Sequence, residues 1–247
     1  MRIVLKIQYD GTAYCGWQVQ PNGITVQETI EKAIENITGE KASLIASGRT
    51  DSGVHAKSQT AHFDTDHTLI PPDKFSYALN PILPEDIKIL SSYLAPENFH
   101  ARFSAKKKTY EYKMYKSEYP LPLKRRYAVN VSPLLDVEKM KEAAKVLVGK
   151  HDFKCFLAAN SSVKDTVREI YSSSVREENG EIIYSVTGNG FLYNMVRIIA
   201  GTLVKAGEGK ISAKDLEKII ENKDRTSAGI TMPPEGLTLI SVEYEKR

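Results

Sequence analysis

The most distinctive ten residues of the chain are Ser47-Gly48-Arg49-Thr50-Asp51-Ser52-Gly53-Val54-His55-Ala56. They place a cation, an anion and an imidazole in a glycine-flanked turn, between two apolar segments typical of strands. Glycine adopts backbone conformations that other residues avoid, so the sequence predicts an unusual turn that fixes Asp51 through its backbone. A carboxylate held in this way suits a nucleophile or a base. The alternative is an aspartate that bonds only its own turn.

The segments on either side of this turn follow a regular order. Residues 2–9 alternate apolar and polar, as a half-buried strand does, and Thr25 with Glu28 forms a capping box before a helical apolar repeat that Gly39 ends. The first half of the chain therefore reads β-α-β-β-α-β. Its segments lie at 2–9, 26–37, 44–47, 59–64, 72–79 and 87–93.

The same order recurs in the second half. Its segments lie at 108–115, 136–148, 168–176, 181–187, 191–205 and 237–244. The pair Asn179-Gly180 marks a hairpin, and a capping box at Ser212 and Asp215 predicts an additional helix over 212–222. The order predicts an α+β fold of two ferredoxin-like β-α-β-β-α-β halves whose sheets join around a central cleft. The halves are residues 1–104, with the acidic turn, and residues 105–247.

Composition restricts the class of protein. The 247 residues are 41% apolar and 26% charged, with a net charge of +3, which is typical of a globular chain. The longest uncharged apolar run, residues 198–204, is far shorter than the roughly 20 residues of a membrane span, and no secretory signal precedes the first strand. We therefore expect a cytoplasmic protein without membrane association. Cys15 and Cys155 lie far apart and predict neither a disulfide framework nor a zinc site.

Two basic runs lie next to tyrosines. Residues 106–108 are three lysines before Tyr110, and residues 124–126 are Lys-Arg-Arg between Tyr119 and Tyr127. Single-stranded RNA is bound by this combination, because cations neutralise its phosphates and aromatic rings stack on its bases. An ordinary solvated surface is the alternative.

A further segment, from His62 to His67, contains four potential metal ligands. Alternation along a strand would place His67 on the face opposite His62, Asp64 and Asp66, and no zinc-type spacing is present. The sequence therefore predicts no metal site. No glycine-rich phosphate or dinucleotide loop is recognisable either, so no nucleotide cofactor is expected.

Blocks of sequence along the whole chain are similar to one enzyme family. The main blocks run from Tyr9 to Gln20, Gln59 to Asp64, Phe99 to Ala105, Lys108 to Tyr112, Gly190 to Arg197 and Pro233 to Leu237. Read together with the turn at 47–56, these blocks resemble the TruA family of tRNA pseudouridine synthases. Because the blocks occur in order along the sequence, the resemblance covers essentially the whole chain.

The resemblance implies an isomerase that converts uridine to pseudouridine at positions 38, 39 and 40 of tRNA, in the anticodon arm. Asp51 stands at the position of the catalytic aspartate, Arg197 at that of its ion-pair partner and Tyr110 at that of the residue stacking on the target base. The reaction rejoins ribose C1′ to base C5 and adds no group, so no cofactor is implied. Asp51 could attack covalently or remove a ribose proton to give a glycal, and both routes stay open.

Other residues are assigned by the resemblance to tRNA binding. Arg49 is expected to help extrude the target nucleotide. The remaining substrate-binding candidates are Tyr110, His55, Gln59, Phe191, Lys106, Lys107 and Lys108. The family acts as a homodimer, so a homodimer is expected. Two other functions remain open: a non-catalytic RNA-binding module or RNA chaperone of the same fold, and an RNA N-glycosidase that releases the base.

Overall fold

The computed structural model of the protein describes residues 1–66, 68–159 and 163–245. Within these ranges the chain forms ten strands and five α-helices, which confirms the expected α+β class. The chain divides into two compact units, Met1–Lys106 with Thr238–Arg247, and Lys107–Leu237. The division into halves at residues 104 and 105 stays a prediction about domains.

The first unit contains a mixed sheet and two helices. Its elements are β1 (Arg2–Tyr9), α1 (Val26–Thr38), β2 (Ile45–Ala46), β3 (His55–Asp64), α2 (Phe75–Leu79), β4 (Ile87–Ala95) and β10 (Leu237–Tyr244), whose first residue belongs to the second unit. β1 lies between β4 and β3 and is antiparallel to both, and β2 pairs antiparallel with β3. β10 pairs with the start of β3 in parallel, with Thr238 opposite His55. The last strand of the chain therefore lies beside the end of the 47–56 turn.

Helix α1 follows directly from its sequence signals. The Thr25 side chain accepts the Glu28 N–H at 3.3 Å, and Gly39 ends the helix in the left-handed conformation at φ 74°. The second half of the expected capping box does not form, because the Glu28 carboxylate pairs with Lys32 at 2.6 Å instead. The buried face of the helix includes Ile30 and packs into the core of the unit.

The second unit contains five strands and three helices within the described residues. Its elements are β5 (Ala105–Lys116), whose first two residues belong to the first unit, β6 (Val129–Val131), α3 (Val137–Lys145), β7 (Gly149–Asp152), β8 (Val167–Glu178), β9 (Glu181–Gly188), α4 (Met195–Gly207) and α5 (Ala213–Asn222). β5 is antiparallel to β9, β9 to β8 and β8 to β7, while β6 lies parallel to β5. The capping box at Ser212 and Asp215 forms as expected and begins α5.

Several boundaries differ from the sequence predictions. β3 begins at His55 rather than Gln59, because its early residues pair with β10, which is distant in sequence. α4 begins at Met195 rather than Phe191, because Asn194 has a φ of 60°, outside the helical region. β6 and β7 were not predicted, since strands of three or four residues are too short to show a period.

None of the helices in the described ranges is both long and apolar enough to cross a bilayer.

Candidate active site

The 47–56 turn is held from outside by the segment that follows β1. The Trp17 N–H donates to the Thr50 carbonyl at 3.0 Å. On the far side of residue 51, the Gly53 N–H and the Ser52 hydroxyl both donate to the Tyr14 carbonyl, at 3.3 and 3.1 Å. The backbone before and after residue 51 is therefore fixed by main-chain groups rather than by flexible side chains.

Two glycines allow this close approach. A Cβ on Gly11 would lie 2.1 Å from the Val54 carbonyl oxygen. Gly16 has a φ of 84°, and a Cβ there would lie 2.7 Å from the Thr50 carbonyl oxygen. Any side chain at either position would push the two segments apart, so these glycines are part of the framework of the site.

The turn is also anchored in the core of the first unit. The Tyr9 hydroxyl and Thr50 Oγ1 are 2.8 Å apart and buried, and the Tyr9 ring lies 6.0 Å from that of Trp17. Burial raises the pKa of the Tyr9 hydroxyl, which keeps it protonated and able to donate. Asp51 follows this anchor directly, is half-buried, and accepts the Val54 N–H at its backbone oxygen at 3.1 Å. The candidate carboxylate is therefore carried by a rigid backbone.

Gln59 lies beneath the turn and supports it. Its side chain is fully buried, and its Oε1 accepts the Ser47 hydroxyl at 2.6 Å and the Thr60 N–H at 3.1 Å. Its amide nitrogen donates to the Gly48 carbonyl at 3.0 Å. These contacts show that Gln59 positions the turn, and its role in substrate binding stays a prediction.

His55 lies at the other end of the turn and is also buried. Its Nδ1 accepts the Gly11 N–H at 3.1 Å and lies 3.1 Å from Asp10 Oδ1. Asp10 Oδ1 in turn accepts the N–H and hydroxyl of Thr12, at 3.0 and 2.6 Å. This side of the imidazole is thus used to join β3 to the turn at residues 10–12.

Arg49 differs from its neighbours because it is exposed. Its guanidinium makes no hydrogen bond or ion pair with any residue in the described ranges. An exposed guanidinium two residues before Asp51 is available to an anionic ligand.

Tyr110 and Phe191, two residues expected to contact the substrate, lie together in the second unit. Tyr110, on β5, is largely buried, and its ring meets the edge of the half-buried Phe191 ring at 5.2 Å between centroids and an interplanar angle of 83°. An edge-to-face pair of this kind is favourable and fixes the orientation of the Tyr110 ring.

Arg197 lies in the first turn of α4, where neighbouring polar groups orient it. Its Nε donates to the Met232 carbonyl and one terminal nitrogen donates to Asn194 Oδ1, both at 2.7 Å. The Met232 N–H in turn donates to the Arg197 carbonyl at 3.3 Å. The helix start and residue 232 therefore hold the guanidinium from two sides.

The same helix packs unusually closely on the segment that precedes β10. A Cβ on Gly201 would lie 2.2 Å from the Ile230 carbonyl oxygen, and one on Gly229 would lie 2.2 Å from the Gly201 carbonyl carbon. The Gly229 N–H also donates to Thr202 Oγ1 at 2.7 Å. This backbone-to-backbone contact sets the distance between α4 and residue 232, and so the position of Arg197.

The three lysines at the start of β5 have different surroundings. The exposed Lys106 pairs with Glu245 at 2.8 Å. The exposed Lys107 lies 5.6 Å from the centroid of the Tyr171 ring, and Lys108 is half-buried. Solvent-exposed contacts of this kind contribute little to stability, so the lysines can exchange them for contacts with other anions.

The structure groups the expected site residues by unit. Arg49, Asp51, His55 and Gln59 belong to the first unit, and Tyr110, Phe191 and Arg197 belong to the second. In the first unit the four residues lie on the 47–56 turn or on β3, and in the second unit the Tyr110 ring contacts Phe191. The pairing of Asp51 with Arg197 stays a prediction.

The sequence did not predict the residues whose contacts hold the candidate site residues in place. Tyr14, Thr50, Met232 and Gly201 act through the main chain or through buried hydroxyls. Only Gly201 gave a signal, because a glycine inside a helical pattern often marks a close approach of another backbone.

Within the part of the chain that the structure describes, no three His, Cys, Asp or Glu side chains are grouped closely enough to hold a metal ion. Of the segment from His62 to His67, His67 lies outside the described residues.

Comparisons with known proteins agree on one family. A family model described as tRNA pseudouridine synthase matches residues 6–104 and 143–245. Proteins named tRNA pseudouridine synthase A from Caldicellulosiruptor bescii and Bacillus subtilis are 50% and 48% identical to this chain. The alignments cover 98% and 99% of this chain and 99% and 100% of the two relatives. Asp51 and Arg197 lie inside the matched ranges, whereas Tyr110 lies between them.

Among solved structures, a chain from a Cbf5-Nop10-Gar1 complex aligns with 96% of this chain and 48% of its own length, at 12% identity and a TM-score of 0.39.

Proposed function

The chain belongs to the tRNA pseudouridine synthase family, a family of isomerases, and from this premise we propose that it converts uridine to pseudouridine at positions 38, 39 and 40 of the tRNA anticodon arm. One observation carries the assignment of the catalytic residue. Asp51 is the half-buried carboxylate of a turn whose backbone is bonded to Tyr14 and Trp17 on both sides. Such a rigid carboxylate is preorganised for attack on a bound nucleotide.

The proposed reaction needs a group that can act at the ribose. The bond between base N1 and ribose C1′ breaks, the base turns, C1′ bonds to C5, the proton leaves C5, and N1 gains a proton. An ionised Asp51 serves as the nucleophile or removes a ribose proton to give a glycal. Atoms and electrons balance in either route without an oxidant or a group donor, so the proposal includes no cofactor.

The other residues have roles that follow from their chemistry. Tyr110 stacks on the detached base and keeps it in place, and its orientation is supported by the edge contact with Phe191. Arg197 acts as the cationic partner that keeps Asp51 ionised. Arg49, exposed and without an ion pair in the described ranges, binds the backbone of the extruded nucleotide. His55 and Gln59 fix the conformation of the turn through their buried hydrogen bonds.

Three further expectations belong to this proposal. The protein acts as a homodimer. Its substrate is tRNA, and it works in the cytoplasm. Its halves are ferredoxin-like, a reading that the antiparallel order β4-β1-β3-β2 in the first unit supports. The three lysines at 106–108 contribute to binding of the tRNA backbone.

The proposal is tested by Asp51→Asn. We expect pseudouridine formation in a tRNA with uridine at positions 38–40 to fall by at least about 100-fold, the lower range for loss of a general base, because the amide cannot act as base or nucleophile. Affinity for the tRNA should stay within a few-fold of the wild-type value. The rate is measured by release of label from C5 of uridine, and the affinity by filter binding.

The exposed Asp73→Asn is the matched control, since it makes the same chemical change away from the turn. Full activity of Asp51→Asn would remove Asp51 from the mechanism. A wild-type protein that binds tRNA without forming pseudouridine would instead identify an RNA-binding module or chaperone. Release of free uracil would identify an N-glycosidase.

A further inference from the structure

The segment from Ser117 to Tyr127 connects β5 to β6 and includes none of the residues of the candidate site. It contains the second basic run, Lys124-Arg125-Arg126. It also lies outside both ranges that the family model matches.

This connection has a fixed shape. The hydroxyl of the buried Tyr115 accepts the Leu121 N–H at 2.7 Å. The Lys124 N–H donates to the Leu121 carbonyl at 3.0 Å, and the Ala128 N–H donates to the Lys124 carbonyl at 3.1 Å. Because main-chain bonds hold this loop on both sides of its basic run, binding a partner here costs little backbone entropy.

Lys124 has a structural role in this loop. Its ammonium bonds Glu181 at 3.0 Å and lies 5.4 Å from the centroid of the Tyr115 ring. Lys113 approaches the same carboxylate at 3.6 Å. Because two lysines surround Glu181, this acid does not neutralise the two arginines that follow Lys124.

Arg125 and Arg126 are both exposed. Neither guanidinium has an ion pair or hydrogen bond with a residue in the described ranges. Two adjacent, unpaired guanidiniums on a fixed loop suit phosphate oxygens, which the planar fork of arginine binds in a bidentate manner.

Apolar groups accompany these charges. The Tyr119 side chain is 73% exposed and that of Leu123 is 98% exposed. A single exposed apolar residue needs no explanation, but an exposed ring in the same short segment as unpaired cations matches the way proteins bind unpaired nucleotides. RNA satisfies both features, because it offers phosphates to the arginines and a base to the ring.

We propose that the segment Ser117–Tyr127 is a tRNA-binding surface, in which Arg125 and Arg126 contact phosphates and Tyr119 stacks on an unpaired base. The inference rests on the proposed function, since it takes tRNA as the RNA that is bound.

The double variant Arg125→Gln with Arg126→Gln tests the phosphate contacts. Binding of labelled tRNA is measured by filter binding between about 50 and 200 mM salt, where counterion release makes affinity fall steeply. We expect about tenfold or greater loss of affinity at the lowest salt. The slope of log K against log salt should become shallower by about 1.4–1.8, the value for two lost phosphate contacts.

Two matched variants separate this effect from a general loss of charge. Arg125→Lys with Arg126→Lys keeps both charges and should keep the wild-type slope. Lys214→Gln with Lys218→Gln removes two exposed charges from α5 and should change affinity less than threefold.

Tyr119→Ala tests the stacking contact. It should weaken tRNA binding about tenfold without changing the salt slope, because stacking releases no counterion.

The outcomes distinguish this surface from the proposed function. A wild-type protein that forms pseudouridine, with an arginine double variant that keeps both the affinity and the salt slope, would overturn the surface alone. Wild-type protein that forms no pseudouridine would overturn the proposed function whatever the slope. A double variant with the wild-type slope but altered sedimentation would assign the loop to a contact between protein chains and overturn the RNA surface.

Discussion

Gln59 is a fully buried amide in β3, a strand whose sequence is largely polar. The sequence does not reveal the partners of this amide, because Ser47 and Gly48 reach it only after the chain has turned back. The Gln59 amide also accepts the Thr60 N–H. Together the three hydrogen bonds hold the start of the acidic turn. A residue close in sequence to a candidate catalytic group can therefore influence that group indirectly, by fixing the backbone that carries it.

Replacing this amide should weaken both the fold and the site. In Gln59→Ala, the Ser47 hydroxyl, the Gly48 carbonyl and the Thr60 N–H lose their buried partner, so we expect the free energy of unfolding to fall by about 2–4 kcal/mol. Pseudouridine formation should fall as well, measured below the new melting temperature so that the protein stays folded.

Gln8→Ala is the control, because Gln8 is exposed on β1. It removes the same atoms from a strand and should change stability by no more than about 0.5 kcal/mol. If Gln59→Ala were as stable as this control, the amide would not support the turn.

At the level of the elements, α4 shows how a helix can be predicted while its function is not. The apolar repeat gives the helix, but Asn194 delays its start and its side chain then binds Arg197. The depth at which the helix packs depends on Gly201 and Gly229, which come from different segments. The geometry of Arg197 therefore follows from a contact between elements.

Gly201→Ala should disturb this contact. The new methyl would lie 2.2 Å from the Ile230 carbonyl oxygen, so the helix or the segment must move. We expect a loss of about 1–3 kcal/mol of stability from overpacking, although alanine otherwise favours helices. Activity should fall too, because Met232 moves away from Arg197.

Gly190→Ala serves as the control for stability. A Cβ at that position would lie 3.8 Å from the nearest atoms, those of Arg168, which is ordinary contact. Chemical denaturation of the two variants gives the comparison, and equal midpoints would show that the close packing of α4 is not required.

At the scale of the whole molecule, the buried His62 makes the free energy of unfolding depend strongly on pH. His62 Nδ1 accepts the Ala101 N–H at 3.2 Å, which requires an unprotonated nitrogen. Burial, together with the nearby Arg2 and His100 charges, lowers the pKa of His62 to about 4, while Asp64 acts weakly in the opposite direction. The folded protein therefore keeps this imidazole neutral in mildly acidic solution.

The consequence is a loss of stability in acid. Between about pH 6.5 and 4 the unfolded chain binds a proton at His62 that the folded protein does not, so the free energy of unfolding falls as pH falls, by on the order of 3 kcal/mol in total. Denaturation at several pH values should show this slope. Its persistence in His62→Gln would assign the effect to other groups.

The sequence predicted the features that depend on neighbours along the chain. Thr25 and Gly39 marked the ends of α1, and Ser212 with Asp215 marked the start of α5. The alternation in β1 and the α+β order were also correct. The early start of β3 was missed because its pairing partner at Thr238 is distant in sequence.

The sequence by itself determined the α+β class, the main helices and strands and the family, because local periodicity, caps and distinctive blocks survive in a linear reading. Only the tertiary structure decided that Gly11, Tyr14 and Trp17 clamp the acidic turn, and that Gly201 against Gly229 places Arg197 beside Met232. The reason is physical: these contacts join backbone atoms of segments far apart in the chain. A backbone carbonyl carries no residue-specific signal, so its partner is known only once the chain has folded.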